Sequence, residues 1–344
     1  MQGAMRLSLR HEPDFFVAAH AGNLSNSVFI GRDRQSGAVV ASASRSVRRA
    51  FVDGQATQLG YLSSLRIDRQ HTGGTLLARG FRILRKLHDA DPVPYTITAI
   101  LDGNSAARHL LTSQRTSLPV YRPAGKMHTH LISLERKRRQ IHQANIQHGL
   151  PPEQLPEAIA CINNFNSELQ FAPQYQCEDF QPDSSLLPSL RLDDFYLFRE
   201  RGRIRGVMAV WDQRSFKQEV VAGYSPWLSV LRPLSNFGAS FGLAPRLPAP
   251  GQTLPCMYAA CMGVDGGDCA IFTQLLDAAI GDLGGRGLSY LLVGLSPSHP
   301  FSSIAAQRAM MKIASEIFLV YWKDAPPARF PAGERIPHLE IATL

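Results

Sequence analysis

The stretch LGYLSSLRIDRQHTGGTLLARGFRILRK, residues 59–86, decides the fold of this chain. Its first part, from Tyr61 to Ile67, is apolar and β-prone, which predicts a strand that ends at Asp68. A polar turn containing Gly73 and Gly74 follows. The apolar residues after the turn have the spacing of an amphipathic helix that continues to about residue 88.

A strand, a glycine turn and a helix in this order can bind a phosphate group. The first turn of a helix presents backbone N–H groups without intrahelical acceptors, together with a partial positive charge. Gly73 and Gly74 lack a Cβ atom, so a ligand could approach the backbone closely. A glycine pair before a helix is more often an ordinary turn, so the downstream sequence decides between the two interpretations.

A second strand and a second helix follow the first pair. Residues 95–101, YTITAIL, predict a buried strand, and Asn104 is a suitable N-cap for a short helix after it. This order resembles the GCN5-related N-acetyltransferase superfamily over roughly residues 28–133. The family pattern Arg/Gln-x-x-Gly-x-Gly/Ala corresponds in one register to Gln70, Gly73 and Thr75, with threonine in the last place. A second register, residues 72–77, has threonine and leucine where arginine and glycine are usual.

The resemblance implies acetyl-CoA, or another acyl-CoA, as co-substrate and no metal ion. In the family the turn holds the pyrophosphate, the Asn-led helix lies along the pantetheine arm, and the strand before the turn donates a backbone N–H to the thioester oxygen. The cofactor-binding residues that it implies here are Leu65, Arg66, Ile67, Thr72, Gly73, Gly74, Thr75, Leu76, Asn104 and Ala107.

Acyl transfer to an amine needs a base for the acceptor and an acid for the leaving thiolate. The family base is often a glutamate on the strand before the turn, but this strand has no carboxylate before Asp68. Tyr61, His71 and Asp68 are the nearest alternatives. Tyr121 is the nearest match to the family's acid, although a structural tyrosine at the start of a closing hairpin fits equally well.

The second half of the chain repeats the order of elements in the first half. We therefore predict an α/β (α+β) fold of two tandem acetyltransferase-like domains, each a mixed, mostly antiparallel twisted sheet flanked by helices. The predicted units are residues 5–134, a basic helical linker 135–155, and residues 156–330. At the second turn Asp265 and Asp268 would repel a pyrophosphate and could cap the helix instead. The second unit is expected to supply packing surface and a share of the acceptor pocket, without a coenzyme A site.

Composition adds few constraints. The net charge of +8 allows an anionic partner but selects none. The basic run at 135–139 has no interleaved aromatic residues, so nucleic acid is not an expected partner. The five cysteines form no C-x-x-C pair and have no zinc spacing. Without an apolar run of spanning length or a signal peptide, we expect a cytoplasmic protein with no membrane partner.

Three more local predictions concern connections. Residues 118–134 should form a hairpin, residues 140–150 a polar helix, and residues 223–255 a long loop of the kind that is often functional.

Two functional hypotheses follow. The first is an acyl-CoA-dependent N-acyltransferase with a small-molecule or peptide amine as acceptor. The alternative is a non-catalytic tandem acetyltransferase fold that binds a ligand or a protein. A nucleic-acid-associated protein is a third idea that rests on charge alone.

Overall fold

The computed structural model describes residues 5–72, 74–113, 118–134, 144–182, 184–239, 246–284 and 288–344. The first half contains the elements β1 Met5–Arg10, α1 Phe15–His20, β2 Ser25–Arg32, β3 Val39–Val52, β4 Gln55–Ile67, α2 Leu76–Ala90, β5 Tyr95–Leu101, α3 Ser105–Leu111 and β6 Val120–Ser133. The second half contains β7 Ile146–His148, α4 Leu155–Ser167, β8 Phe195–Glu200, β9 Arg203–Trp211, β10 Gln218–Tyr224, α5 Pro226–Ala239, β11 Cys256–Val264, α6 Cys269–Leu283, β12 Tyr290–Leu295, α7 Pro300–Arg308 and β13 Ala309–Tyr321.

Eleven of these strands form one large mixed sheet, in the order β2-β3-β4-β5-β13-β6-β12-β11-β9-β8-β7. Most neighbouring strands are antiparallel, and helices flank the sheet. This is the mixed α/β architecture predicted from the sequence. The strands β1 and β10 form a separate antiparallel pair. None of the helices in the described ranges is both long and apolar enough to cross a bilayer.

The same local topology occurs twice within the sheet. In the first half β4 pairs antiparallel with β3 and parallel with β5, and α2 is the crossover. In the second half β11 pairs antiparallel with β9 and parallel with β12, and α6 is the crossover. Both crossovers pack an apolar face on the sheet, through Phe81 and Leu84 in α2 and through seven buried residues in α6.

The last strand of each half pairs with the other half. The strand β13 lies between β5 and β6, and β6 lies between β13 and β12. The two exchanged strands also pair with each other over their whole length. The sheet is therefore continuous through both predicted units, whose boundaries stay a prediction.

Three connections differ from the sequence predictions. Residues 120–133 form one strand instead of a hairpin, because Pro123 and Gly125 lie at a bulge opposite Ile317 and Phe318. The predicted helix over 140–150 is wrong in its described part, where β7 adds an edge strand next to β8, and its residues 140–143 lie outside the described residues. The basic run at 135–139 also lies outside them. The stretch 223–255 contains α5 and is not all loop.

The two halves differ most between their antiparallel partner strands. The connection between β3 and β4 is a tight turn at Asp53 and Gly54, both with positive φ. The equivalent connection between β9 and β11 is an insertion, residues 212–255, that carries β10 and α5. The pairing of β10 with β1 ties this insertion to the N-terminal segment.

Candidate functional site

The turn between β4 and α2 is built by its own polar side chains. The Asp68 carboxylate accepts a hydrogen bond from the Gln70 N–H at 2.8 Å and starts a short 3-10 helix, Arg69–His71. The Thr72 hydroxyl donates to the Arg69 carbonyl at 2.7 Å. A Cβ atom on Gly74 would have no neighbour within 4 Å, so this part of the turn is open to a ligand. The predicted residue Gly73 lies outside the described residues.

The N-terminus of α2 is uncapped. Its N-cap residue, Thr75, makes no side-chain hydrogen bond, and its first turn carries no acidic residue. The N–H groups of Leu76, Leu77 and Ala78 have no intrahelical acceptor, because they are the first three of the helix. They therefore present a partial positive charge next to an exposed turn, which is the local geometry that binds phosphate.

The N-terminus of α6, at the equivalent place in the second half, is capped by the protein itself. The Asp268 carboxylate accepts hydrogen bonds from the Ala270 N–H at 2.7 Å and the Ile271 N–H at 3.4 Å. The predicted capping role of Asp268 is confirmed. Asp265 forms an ion pair with Arg205 at 3.4 Å and does not cap the helix. A pyrophosphate at this helix would have to displace a carboxylate.

The strand β4 separates from β5 shortly before the turn. The parallel pairing covers Leu59–Tyr61 of β4, and the Thr98 hydroxyl then donates to the Leu62 carbonyl at 2.7 Å. Three residues after Tyr61, Ser64 has a φ of 56° and the register with β3 shifts, which is a β-bulge. Beyond the bulge Leu65 and Arg66 are exposed and Ile67 is partly exposed. The two strands thus open a crevice at the level of the residues predicted to contact the thioester.

The helix α3 begins at the same edge of the sheet as α2, because both follow parallel strands. The Asn104 side chain caps it, accepting from the Ala107 N–H at 3.1 Å. Arg108 bridges Asp102 at 3.0 Å and Glu316 at 2.7 Å, and so ties α3 to β13. The structure therefore brings the turn, the crevice and the Asn-led helix together on one edge.

The three predicted catalytic residues lie in three different environments. Tyr61 is buried between the halves, and its ring lies 4.5 Å from the guanidinium carbon of Arg48. Tyr121 packs in the apolar cluster below α2, with its ring 6.3 Å from that of Phe318. Burial raises the pKa of both phenols, so both are neutral at physiological pH. Asp68 is exposed and its carboxylate is engaged in the turn.

A cavity of about 30 Å³ lies between the two halves, on the face of the sheet where Tyr61 is buried. Arg48, Tyr175 and Glu340 line this cavity and are all buried. Within the described part of the chain, the Arg48 Nε has no hydrogen-bond partner, and the Tyr175 hydroxyl has only the Cys261 thiol next to it. Unpaired buried polar atoms are costly, so these groups point to a polar occupant. The described residues contain no group of three metal-ligating side chains.

Glu340 comes from the C-terminal segment, which threads between the halves. Its carboxylate accepts a hydrogen bond from the Cys261 N–H at 3.0 Å. Cys261 is the counterpart of Ser64: it has a φ of 50° and follows the last parallel-paired residue of β11, Tyr258, by three positions. The next residue, Ile341, packs on Gly294 of β12, where a Cβ atom would lie 2.3 Å from it. The crevice of the second half is therefore filled by the protein's own chain.

Two ionisable side chains at this segment have strongly shifted pKa values. Burial raises the pKa of Glu340 to about 7. Burial lowers the pKa of Lys217 to about 8, and its ammonium group donates to the carbonyls of Ala342 at 3.1 Å and Leu344 at 2.8 Å. A buried carboxylate that titrates near neutrality and lines a cavity has the properties of a general base.

Sequence reasoning missed Arg48 and Glu340. The segment after residue 330 has no periodic pattern, and Glu340 reaches Cys261 only through the tertiary fold. Arg48 is one of three arginines between residues 45 and 49, and nothing in the local sequence distinguishes it. The one signal was the missing carboxylate on β4, which implied that a base would have to come from elsewhere.

Comparisons with known proteins support the fold. No protein-family model matches the chain, and no curated protein matches it by sequence. Two structures of Saccharomyces cerevisiae N-myristoyltransferase, one with bound myristoyl-CoA and one with bound myristoyl-CoA and inhibitors, superpose with TM-scores of 0.56 and 0.58. Their sequences are 12% and 11% identical to this chain. Each superposition covers 93% of this chain, and the two cover 72% and 74% of the respective yeast chains.

A GCN5-related N-acetyltransferase from Anabaena variabilis also matches, at a TM-score of 0.46 and 10% identity, over 85% of this chain and 62% of that chain. The likeness to the yeast enzyme shows that this chain has its fold. The acetyltransferase-like fold expected from residues 59–111 is thereby confirmed.

Proposed function

We propose that this protein is an acyl-CoA-dependent N-acyltransferase, in which an amine acceptor attacks the thioester directly. The observation that carries the proposal is the uncapped N-terminus of α2 beside the crevice between β4 and β5, in contrast to the capped α6 and the filled crevice of the second half. One of the two repeated sites is thus open to a ligand and the other is closed by the protein.

The coenzyme A moiety would lie along the open edge. The pyrophosphate would accept hydrogen bonds from the backbone of residues 72–76. The pantetheine arm would enter the crevice past Asn104 and Ala107. The thioester oxygen would lie next to the backbone of Leu65–Ile67, beyond the bulge at Ser64. An N–H there would stabilise the oxyanion as the amine nitrogen bonds to the carbonyl carbon.

The amino group of the acceptor would enter the cavity between the halves, which at about 30 Å³ has room for a group of that size. Glu340 would take the proton that the amine loses, either directly or through a water molecule. Tyr61, a neutral phenol at the start of the crevice, is the candidate to protonate the thiolate that leaves when the C–S bond breaks. We assign no step to Asp68 or Tyr121, because the first is engaged in the turn and the second faces an apolar cluster. An activity assay would identify the acyl group, which is acetyl or longer, and the acceptor, which is a small molecule or a peptide.

The decisive test uses the N-cap of α2. Thr75→Asp places a carboxylate where α6 has Asp268, and Thr75→Asn is the matched control that caps the helix without a charge. Both variants should be at least as stable as the wild type, because Asp and Asn are better N-caps than Thr. Isothermal titration with acetyl-CoA and longer acyl-CoAs should show binding to the wild type and to Thr75→Asn, and about tenfold weaker binding or worse to Thr75→Asp.

Equal binding to all three proteins would mean that the pyrophosphate does not lie at α2. If none of them binds any acyl-CoA, the enzyme proposal fails. The alternative would then hold, a non-catalytic tandem fold that binds another ligand or a protein.

A further inference from the structure

The insertion between β9 and β11 carries a helix that packs little on the rest of the protein. None of the residues of α5 is buried. Five of its large apolar side chains are strongly exposed: Trp227 at 58%, Val230 at 78%, Leu231 at 45%, Leu234 at 69% and Phe237 at 68%. Their spacing of three and four places them on one face of the helix. Contiguous exposed apolar surface of this kind marks an interaction site.

The charged residues of the segment that carries this helix have one sign. The sequence from Val220 to Val264 contains no aspartate or glutamate. Arg232 of α5 lies close enough to Tyr224 to affect its pKa, and the Arg6 side chain packs against Gly223, with its Nη2 atom 2.8 Å from where a Cβ atom would be. The Arg6 guanidinium thus lies near the start of the helix, and Arg232 lies in its middle. Neither forms an ion pair with a carboxylate within the described part of the chain.

We propose that α5 binds the surface of an anionic lipid bilayer. Trp227, Val230 and Leu234 would insert among the acyl chains at the interface, and Arg6 and Arg232 would contact lipid phosphates. An apolar helix face with Trp and Leu next to arginines is the arrangement that interfacial helices use. A bilayer accommodates a protruding helix without a matching groove, and a net charge of +8 favours an anionic surface.

This binding does not require a membrane-spanning helix. The sequence-based expectation of no membrane partner rested on the lack of an apolar run of spanning length, which does not bear on a helix that lies in the interface. A second copy of the chain is the main competing occupant. One helix face with five apolar side chains is small compared with the ~800 Å² per partner that a stable dimer buries.

The test is co-sedimentation of the full chain with vesicles of phosphatidylcholine, with and without phosphatidylglycerol. The wild type should sediment with the anionic vesicles. Leu234→Asp should reduce the bound fraction about tenfold or more, because it places a charge in the inserted face. Ile83→Asp is the matched control: Ile83 is 50% exposed on α2, outside the proposed face, and its replacement changes the net charge equally. It should bind like the wild type.

The Arg6→Gln/Arg232→Gln double variant should bind anionic vesicles more weakly and should respond less to salt. Three results would overturn the proposal. The first is no vesicle binding by the wild type. The second is equal loss of binding in Leu234→Asp and Ile83→Asp. The third is a wild-type dimer in sedimentation velocity that Leu234→Asp dissociates, without vesicle binding, which would assign the face to a second copy of this chain.

Discussion

Replacing Glu340 with glutamine should make the protein more stable and at the same time less active. The Glu340 carboxylate is buried and accepts a hydrogen bond from the Cys261 N–H, and the Ala342 N–H also favours its charged form. A glutamine can accept the same hydrogen bond through its amide oxygen, but it carries no charge that must be buried. It also cannot take a proton from an acceptor amine.

The magnitude follows from the pKa of Glu340, which rises from 4.5 to about 7 on folding. Between pH 4.5 and about 7, the Glu340 carboxyl is protonated in the folded protein and ionised in the unfolded chain. The free energy of unfolding therefore falls as the pH rises through this range. At about 1.4 kcal/mol per pH unit, the loss reaches about 3 kcal/mol above pH 7. Glutamine also removes an anion that favours the charged form of Lys217, so we expect a net gain nearer 2 kcal/mol at pH 8 and none at pH 4.

Urea unfolding of both proteins at several pH values measures this difference, and comparing them cancels the contributions of the other titrating groups. Thiol release from acyl-CoA in the presence of an acceptor measures activity, for which loss of a general base costs about 100-fold or more. In the wild type, kcat/KM should rise with pH through about 7. The control is Glu219→Gln, which removes a partly buried carboxylate, one that accepts from the Tyr258 hydroxyl and is not among the residues that line the cavity.

Full activity of Glu340→Gln would refute the assignment of Glu340 as base. A stability difference that does not vary between pH 4 and 8 would refute the raised pKa. Loss of activity together with loss of acyl-CoA binding would show that the variant has disturbed the fold and not the proton transfer.

Three further predictions concern the elements that frame the site. Gly80→Ala should raise the free energy of unfolding by up to about 1 kcal/mol, because Gly80 is exposed within α2 and a Cβ atom there meets nothing within 4 Å; a lower urea midpoint would contradict this. Gly263→Ala should lower it by about 3 kcal/mol, because the new Cβ atom would lie 2.5 Å from the Cα of Ile162; a melting temperature equal to that of the wild type would show that α4 can move away from β11. Asp268→Ala should cost about 1 kcal/mol through the lost cap of α6 and leave acyl-CoA affinity unchanged; tighter binding in a titration would place the ligand at the second half instead, because the carboxylate would no longer compete with its phosphates.

Local sequence determined the parts of the site that lie close together in the chain. The helix α2, the strand β5 and the cap at Asn104 follow from periodicity and capping residues within a few positions. The bulge in β6 was mistaken for a turn, because proline and glycine mark both features. The helix α5 was missed because Pro226 and Pro233 are typical of loops, although its apolar spacing is clear once a helix is assumed.

Contacts between distant parts of the chain could not be predicted in this way. The bond from Cys261 to Glu340 and the position of β13 between β5 and β6 both depend on how the two halves pack. Neither leaves a periodic signal, because periodicity reports which face of an element is buried and not which element covers it.

The exchange of last strands has a consequence for the nascent chain on the ribosome. The strand β5 pairs with β13, where Leu101 faces Ser315, so one edge of β5 has no partner until more than two hundred further residues have been made. At the usual rate of translation this takes roughly 10 to 40 s. An apolar strand edge exposed for that time invites pairing with other chains. The first half therefore depends on its own last strand, β6, or on a chaperone to cover β5. A chain truncated before residue 309 lacks β13, so its first half cannot complete its sheet.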